Sequence, residues 1–232
     1  MLDQAFEALK TFDWGQDIKV LAAIDEAVVA THEDAAKRKE LEDRLAATLI
    51  AEMPLDAKQF VCRQLRVIGT ASSVPALAGL LSDENLSHMA RFALERIPAA
   101  EAGSALRDAL PKLAGALKVG VMSSLGTRQD TASVPALGEM LGDGDVAVAR
   151  AAAYALGVIR TPEAAKALAQ AEPAGEVKSA VTDASFACAE SLLSAGKNLD
   201  ALAIYKGLAA GDPPKHVKLA ATRGMLECAG KK

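Results

Sequence analysis

The sequence predicts an all-α fold built from stacked helical hairpins, an α-solenoid. Two observations carry this prediction: a composition dominated by alanine and leucine with only 3% aromatic residues, and an internal repeat the size of a helical hairpin. Alanine favours helices because it loses no side-chain entropy in them and lets neighbouring helices approach closely. Strands are normally richer in aromatic and β-branched residues.

The repeat is seen first in residues 73–77 (SVPAL), which recur sixty residues later at 133–137. Sixty residues are two units of about thirty, the length of one helical hairpin. In each unit an anchor leucine near the end of one helix is followed twelve residues later by an apolar residue in the next helix. The pairs are Leu65/Leu77, Leu94/Leu106, Leu125/Leu137, Leu156/Leu168 and Leu192/Ile204, with anchors advancing by 29, 31, 31 and 36 residues.

A small apolar residue lies four positions before every anchor. An i, i+4 spacing places it on the same helix face as the leucine. A single hairpin cannot bury that face, so we expect neighbouring hairpins to complete the core by stacking. The residues at this position are Val61, Ala90, Val121, Ala152 and Cys188.

Polar residues and prolines predict where the second helix of each hairpin begins. Ser73 and Ser133 are predicted N-caps, and Thr161 followed by Pro162 is the clearest capping pair. The glycines are expected at helix ends and in turns, where left-handed backbone conformations favour them.

Three regions are predicted within one continuous solenoid domain. Residues 1–56 are expected to form N-terminal capping helices, 57–176 the regular repeats, and 177–232 a longer C-terminal hairpin and capping helix. Two longer amphipathic helices, at 17–31 and 35–52, suit a cap that protects the open end of a solenoid.

These residues carry a resemblance to a known family. Residues 154–168 (YALGVIRTPEAAKAL) resemble a HEAT repeat of the phycobilisome-lyase-like subtype, and the similarity is most specific over 60–170. Residues 191–210 are locally similar to a tetratricopeptide hairpin. The HEAT resemblance implies a right-handed α-solenoid that serves as a protein-interaction scaffold, found in bacteria as a module of larger proteins.

The sequence departs from this family at one position. Many HEAT arrays carry a polar ladder of Asp and Arg between units, with a basic residue seven positions before the anchor. Here those positions hold Ser87, Lys118 and Ala149, so we expect the ladder to be largely absent.

Charge and composition exclude several classes of function. A net charge of −4 and a pI near 5.5 argue against broad binding of nucleic acid or anionic membranes. No apolar run is long enough to predict a membrane span. The N-terminus lacks the pattern of a signal peptide, which predicts a cytoplasmic protein as written, and an exported location stays open if the chain is a trimmed domain.

No residue pattern predicts catalysis, a metal site or a cofactor. His32-Glu33 is a lone pair, whereas HEAT-type hydroxylases need several such pairs to hold iron. Three cysteines, Cys62, Cys188 and Cys228, lack metal-binding spacing, and the first two are predicted buried thiols. The chain is therefore not expected to be an enzyme. The alternative is a HEAT-type enzyme or a binder of a small ligand or chromophore in the concave groove.

A protein partner of unspecified identity is the expected ligand. Arg107, Glu139 and Lys166 lie opposite the buried leucines of second helices and are candidate partner-binding residues, although ordinary surface positions are the commoner case. Trp14 is a fourth candidate, as an exposed anchor. A buried Trp14 that covers the first helix pair is the favoured interpretation.

Overall fold

The computed structural model describes residues 1–230, which form α-helices joined by short turns, with no strand in that range. The predicted all-α solenoid fold is confirmed. The chain divides into two compact units, Met1–Leu113 and a second that begins at Ala114.

The first unit contains seven α-helices. Short 3-10 turns at Ile18–Leu21, Ala71–Ser73 and Leu110–Lys112 precede or extend the helices. The helices are α1 (Leu2–Leu9), α2 (Ala22–Ala30), α3 (Ala35–Ile50), α4 (Leu55–Ile68), α5 (Val74–Ala78), α6 (Ser87–Leu94) and α7 (Ala100–Ala109).

The second unit has longer helices towards its end. Two 3-10 turns, Thr131–Ser133 and Met140–Gly142, flank its short second helix. The helices are α8 (Gly115–Thr127), α9 (Val134–Glu139), α10 (Val146–Ile159), α11 (Pro162–Gln170), α12 (Gly175–Ser194), α13 (Asn198–Ala209) and α14 (Lys215–Gly230). In this unit α10 packs between α8 and α12, and α13 packs against α12 and α14.

The predicted apolar register is confirmed at nearly every position. The anchor leucines are buried, at 4% exposure for Leu192 and 0% for the other four. The small residues four positions earlier are all 0% exposed. The last pair is wrong by one residue, because Ile204 is only half-buried while Tyr205 is 3% exposed. Tyr205 lies four residues after the fully buried Ala201, so the buried face of α13 runs through these two.

Several glycines lie inside helices rather than at the ends predicted for them, and two of them lie where neighbouring helices touch. A Cβ on Gly157 of α10 would come within 2.8 Å of the Cα of Ala184 on α12. A Cβ on Gly126 of α8 would come within 3.1 Å of the Cα of Ala155 on α10. Real carbon atoms in contact prefer about 3.5–4.0 Å. Each glycine therefore permits the close approach of two successive first helices.

Non-glycine residues take the left-handed conformation that ends these same helices. Gln129 has φ 51° and Arg160 has φ 56°. The amide of Arg160 donates to the Leu156 carbonyl at 3.0 Å, which satisfies a carbonyl at the helix end. In α8 and α10, glycine therefore lies where the helices touch, and the left-handed residue after the helix is Gln129 or Arg160 rather than glycine.

The predicted capping by Ser73 and Ser133 is wrong in its chemistry. Each serine directly precedes its helix, but its hydroxyl points back into the preceding turn. The Ser73 hydroxyl donates to the Thr70 carbonyl at 3.1 Å, and the Ser133 hydroxyl donates to the Asp130 carbonyl at 2.6 Å. Thr161 caps α11 as predicted, accepting from the amide of Ala164 at 3.2 Å.

A buried carboxylate organises the turn before α5. Glu42 of α3 is 1% exposed. It accepts from the backbone amides of Thr70 at 2.6 Å and Ser73 at 3.1 Å, and from the Thr70 hydroxyl at 2.9 Å. These charge-assisted hydrogen bonds join α3 to the start of the second helix of the next hairpin.

The N-terminal region differs in detail from the prediction. Helix α1 was not predicted, and the first predicted helix, 17–31, is divided into a 3-10 turn and α2. The division at 57 and 177 into cap, repeats and C-terminal hairpin stays a prediction. Within residues 1–230, no helix has both the length and the apolar character that crossing a membrane requires.

Candidate partner-binding groove

The first helices of successive hairpins in the second unit line a groove of about 700 Å³. We call it the α10 groove, because α10 forms its centre and α8 and α12 its two sides. Ala147, Ala151, Tyr154 and Val158 follow one another at spacings of three or four residues, so they lie on one face of α10. That face is turned away from the buried Leu156.

The floor of the α10 groove consists of short side chains. Because they are short, the backbone of a bound segment can approach the helices closely. The contributors are Ser123 on α8, Ala147 and Ala151 on α10, and Ala180, Ala184 and Ala187 on α12.

One large aromatic residue stands in this floor. Tyr154 is 63% exposed. The chain has two tyrosines, and the other, Tyr205, is buried. Exposed aromatic side chains of this kind are frequent anchors of protein interfaces, because they supply a large contact area at a low entropic cost.

The charged residues of the α10 groove lie in solvent. Arg150 pairs with Glu176 at the start of α12 at 3.2 Å, and the two side chains are 57% and 76% exposed. An exposed pair of this kind contributes little to stability. Arg160 donates from Nε to the Gly157 carbonyl at 3.0 Å, and Asp183 is exposed. An apolar floor with a polar rim is the arrangement found in protein interfaces.

Two of the predicted binding residues meet in a different groove. Glu139 of α9 and Lys166 of α11 are both exposed and line a groove of about 560 Å³ between these second helices, together with Glu163 and Glu172. Lys166 also borders a cleft of about 440 Å³ between α11 and α13.

The other two predicted residues belong to the first unit. Arg107 is half-buried on α7 and donates to the Ser104 hydroxyl at 2.9 Å. Trp14 is 90% exposed, so the favoured expectation of a buried cap is wrong. Phe12, two residues earlier and 6% exposed, is the aromatic residue that is buried there. A role of Arg107, Glu139, Lys166 or Trp14 in partner binding stays a prediction.

The cysteine thiols are buried, as predicted for Cys62 and Cys188. Burial raises the pKa of Cys62 to about 12 and that of Cys188 to about 11. Both are therefore neutral thiols at neutral pH, whereas a nucleophilic cysteine needs a lowered pKa. Across residues 1–230, no three His, Cys, Asp or Glu side chains come together in a way that would hold a metal ion.

Stacked helical hairpins with buried anchor leucines define the class of helical-repeat proteins. Residues 105–185 match the family model described as HEAT repeats. The predicted resemblance to HEAT repeats is confirmed over these residues.

Comparison with solved structures finds similar chains. One is the complex of CpcE and CpcF of phycocyanin lyase from Nostoc, 19% identical over 89% of this chain and 94% of that chain, with a TM-score of 0.43. Two others are engineered proteins. The first is 19% identical, over 91% of this chain and 70% of that chain, with a TM-score of 0.43. The second is 20% identical, over 90% of this chain and 97% of that chain, with a TM-score of 0.40. A search among curated proteins found no match.

Proposed function

We propose that this protein is a non-enzymatic interaction scaffold that binds a protein partner in the α10 groove. The observation that carries the proposal is the exposure of Tyr154, at 63%, in the middle of a floor of alanines. HEAT repeats, which residues 105–185 contain, are generally protein-interaction scaffolds.

The polar groups of the groove favour a protein segment over a small substrate. A site for a small molecule gathers a few polar groups inside a mainly apolar cavity. In the α10 groove Arg150, Arg160 and Asp183 are all exposed. They lie where they would contact the edges of a longer segment rather than surround a small ligand. We therefore expect a partner segment with small apolar residues facing α10 and charges of both signs beside them.

The partner is identified by photo-crosslinking and then measured quantitatively. A photo-reactive amino acid at Ala147, which is exposed in the groove, is placed in the full chain and irradiated in lysate of the source organism. The crosslinked protein is identified by mass spectrometry and purified, and its dissociation constant is measured by calorimetry. Tyr154→Ala is expected to weaken binding by about 2 kcal/mol or more, roughly thirtyfold, as for an aromatic hot spot.

Leu199→Ala is the matched control. Leu199 is 83% exposed on α13, outside the α10 groove, so its truncation should leave the affinity unchanged. Equal affinities of the wild type and Tyr154→Ala would contradict the proposal. A stoichiometric small molecule, retained in native mass spectrometry by the wild type and lost in Tyr154→Ala, would instead support the alternative of a small-ligand binder.

A further inference from the structure

A second cavity lies where α12, α13 and α14 meet, and we call it the Tyr205 pocket. Its volume is about 490 Å³. It gathers polar and aromatic side chains around a buried tyrosine, whereas the tyrosine of the α10 groove is exposed. The residues that the argument uses are Phe186, Glu190, Ser194, Tyr205, Arg223 and Glu227.

Tyr205 is held firmly although its hydroxyl has no partner. The residue is 3% exposed, and its ring packs against that of Phe186 with centroids 6.2 Å apart. A Cβ on Gly224 of α14 would come within 2.4 Å of the Tyr205 Cζ, so the phenol end of the ring fills the space left by this glycine. Among residues 1–230, no group forms a hydrogen bond with the Tyr205 hydroxyl. The hydroxyl is not among the fully buried polar atoms that lack a partner, so it reaches the pocket, where it is free to accept a hydrogen bond from a ligand or from water.

Negative charge surrounds this phenol. Burial raises the pKa of Tyr205, and the neighbouring carboxylates Glu190 and Glu227 raise it further. Glu227 is paired with Arg223, whose Nε donates to Oε1 at 3.2 Å. Within the described chain Glu190 has no such pair. Two carboxylates and one guanidinium leave the pocket with a net charge of −1.

The helix that forms one wall adds to this potential. The pocket includes Leu193 and Ser194, the last two residues of the 20-residue helix α12. The C-terminal end of a helix carries a partial negative charge, which favours a cation.

We propose that the Tyr205 pocket binds an alkylammonium group, such as the end of a lysine side chain. An ammonium has three donors and no acceptor. The Glu190 carboxylate, the Tyr205 phenol oxygen and the Ser194 hydroxyl are three acceptors that line one pocket. The half-buried ring of Phe186 would contact the methylene stem and attract the cation.

The test is an NMR titration of the full chain labelled with ¹⁵N. The probes are n-butylammonium and n-butanol, its uncharged counterpart of similar size. Saturable shifts of the Tyr205 and Gly224 amides with n-butylammonium, and none with n-butanol, are expected. Equal shifts with both probes, or none with n-butylammonium, would overturn the proposal.

Two variants locate the binding in the pocket. Glu190→Gln removes the unpaired charge and is expected to weaken n-butylammonium binding about tenfold, the size of a charge-assisted hydrogen bond. Tyr205→Phe keeps the ring and loses only the hydroxyl, so a weakening of about threefold to tenfold is expected. Glu172→Gln, in the groove beside α9 and α11, is the control and should bind as the wild type does. Unchanged affinity in Glu190→Gln, with an unchanged melting temperature, would refute the assignment.

A further titration with peptides distinguishes a lysine of a protein partner from a free amine as the source of the ammonium group. The tripeptide acetyl-Gly-Lys-Gly-amide is compared with n-butylammonium and with the same peptide acetylated on the lysine. Tighter binding of the unmodified peptide assigns the pocket to a lysine of a protein partner. Binding of n-butylammonium alone assigns it to a free amine, and binding of the acetylated lysine would contradict recognition of a cation.

Discussion

Gly157→Ala tests whether the close contact between α10 and α12 determines the packing of the second unit. The added Cβ would lie 2.8 Å from the Cα and 2.9 Å from the Cβ of Ala184. The nearest atom belongs to the backbone, so no side-chain rotation relieves the contact, and the two helices must move apart.

The expected loss of stability follows from two opposing effects. Alanine in place of glycine inside a helix stabilises it by about 1 kcal/mol. An extra methyl in a packed contact costs about 1–3 kcal/mol, and backbone contacts lie towards the upper end of that range. We therefore expect Gly157→Ala to lower the free energy of unfolding by about 1–2 kcal/mol and the melting temperature by roughly 2–8 °C for a chain of this size.

Other glycines supply the controls within the same chain. Gly207 lies within α13 with nothing inside 4 Å of its Cβ position, so Gly207→Ala should raise the free energy of unfolding by about 1 kcal/mol. Gly126→Ala, with its nearest atom at 3.1 Å, should fall between the two. Urea denaturation followed by circular dichroism gives all three values. If Gly157→Ala gains stability as Gly207→Ala does, α10 and α12 do not approach as described.

Leu156→Ala, at a fully buried anchor, should cost about 2–5 kcal/mol of unfolding free energy, and a melting temperature equal to the wild type would mean that the repeat register is wrong. Glu42→Gln should lose about 1–3 kcal/mol by urea denaturation, because a neutral amide replaces a buried carboxylate acceptor. Trp14, the one tryptophan, should emit as a water-exposed indole and be fully quenched by acrylamide, whereas shielded emission would restore the buried alternative. Since burial raises the pKa of Cys62 to about 12, Ellman's reagent at about pH 8 should label it only after unfolding, and labelling of the native protein would count against its burial.

The apolar register was predictable because it depends on local spacing alone. A leucine and a small residue four positions earlier share a helix face whatever the rest of the chain does. Hence Val121 and Leu125, or Ala152 and Leu156, were identified from the sequence and are fully buried. The register failed only at Ile204, where the interval between anchors lengthens from 31 to 36 residues and the helices change length.

Contacts between distant residues were not predictable in the same way. The turn before α5 is held by Glu42, 31 residues before Ser73, so no local capping pattern identifies it. The exposure of Trp14 likewise depends on Phe12 having taken the buried position. Gly157 could not be distinguished from a turn glycine until Ala184 was placed beside it.

The α10 groove was missed for a related reason. The sequence directed attention to polar residues on the second helices, where Glu139 and Lys166 do meet. The groove on the first helices is lined instead by alanines, which carry no chemical signal of their own. The only local indication was Tyr154, an aromatic residue among alanines in a chain with 3% aromatic residues.

The packing contact and the proposed binding surface depend on the same residues. Gly157 and Ala184 both line the α10 groove, and their close approach determines how far α12 lies from α10. A floor held by backbone contacts is preorganised, so a partner would lose less free energy in ordering it on binding. It follows that Gly157→Ala, which must separate the two helices, should weaken partner binding beyond its effect on stability, while Gly207→Ala should leave the affinity unchanged. An unaltered affinity in Gly157→Ala would show that binding does not depend on the contact between α10 and α12, and Tyr154 would then be the remaining determinant of binding in this groove.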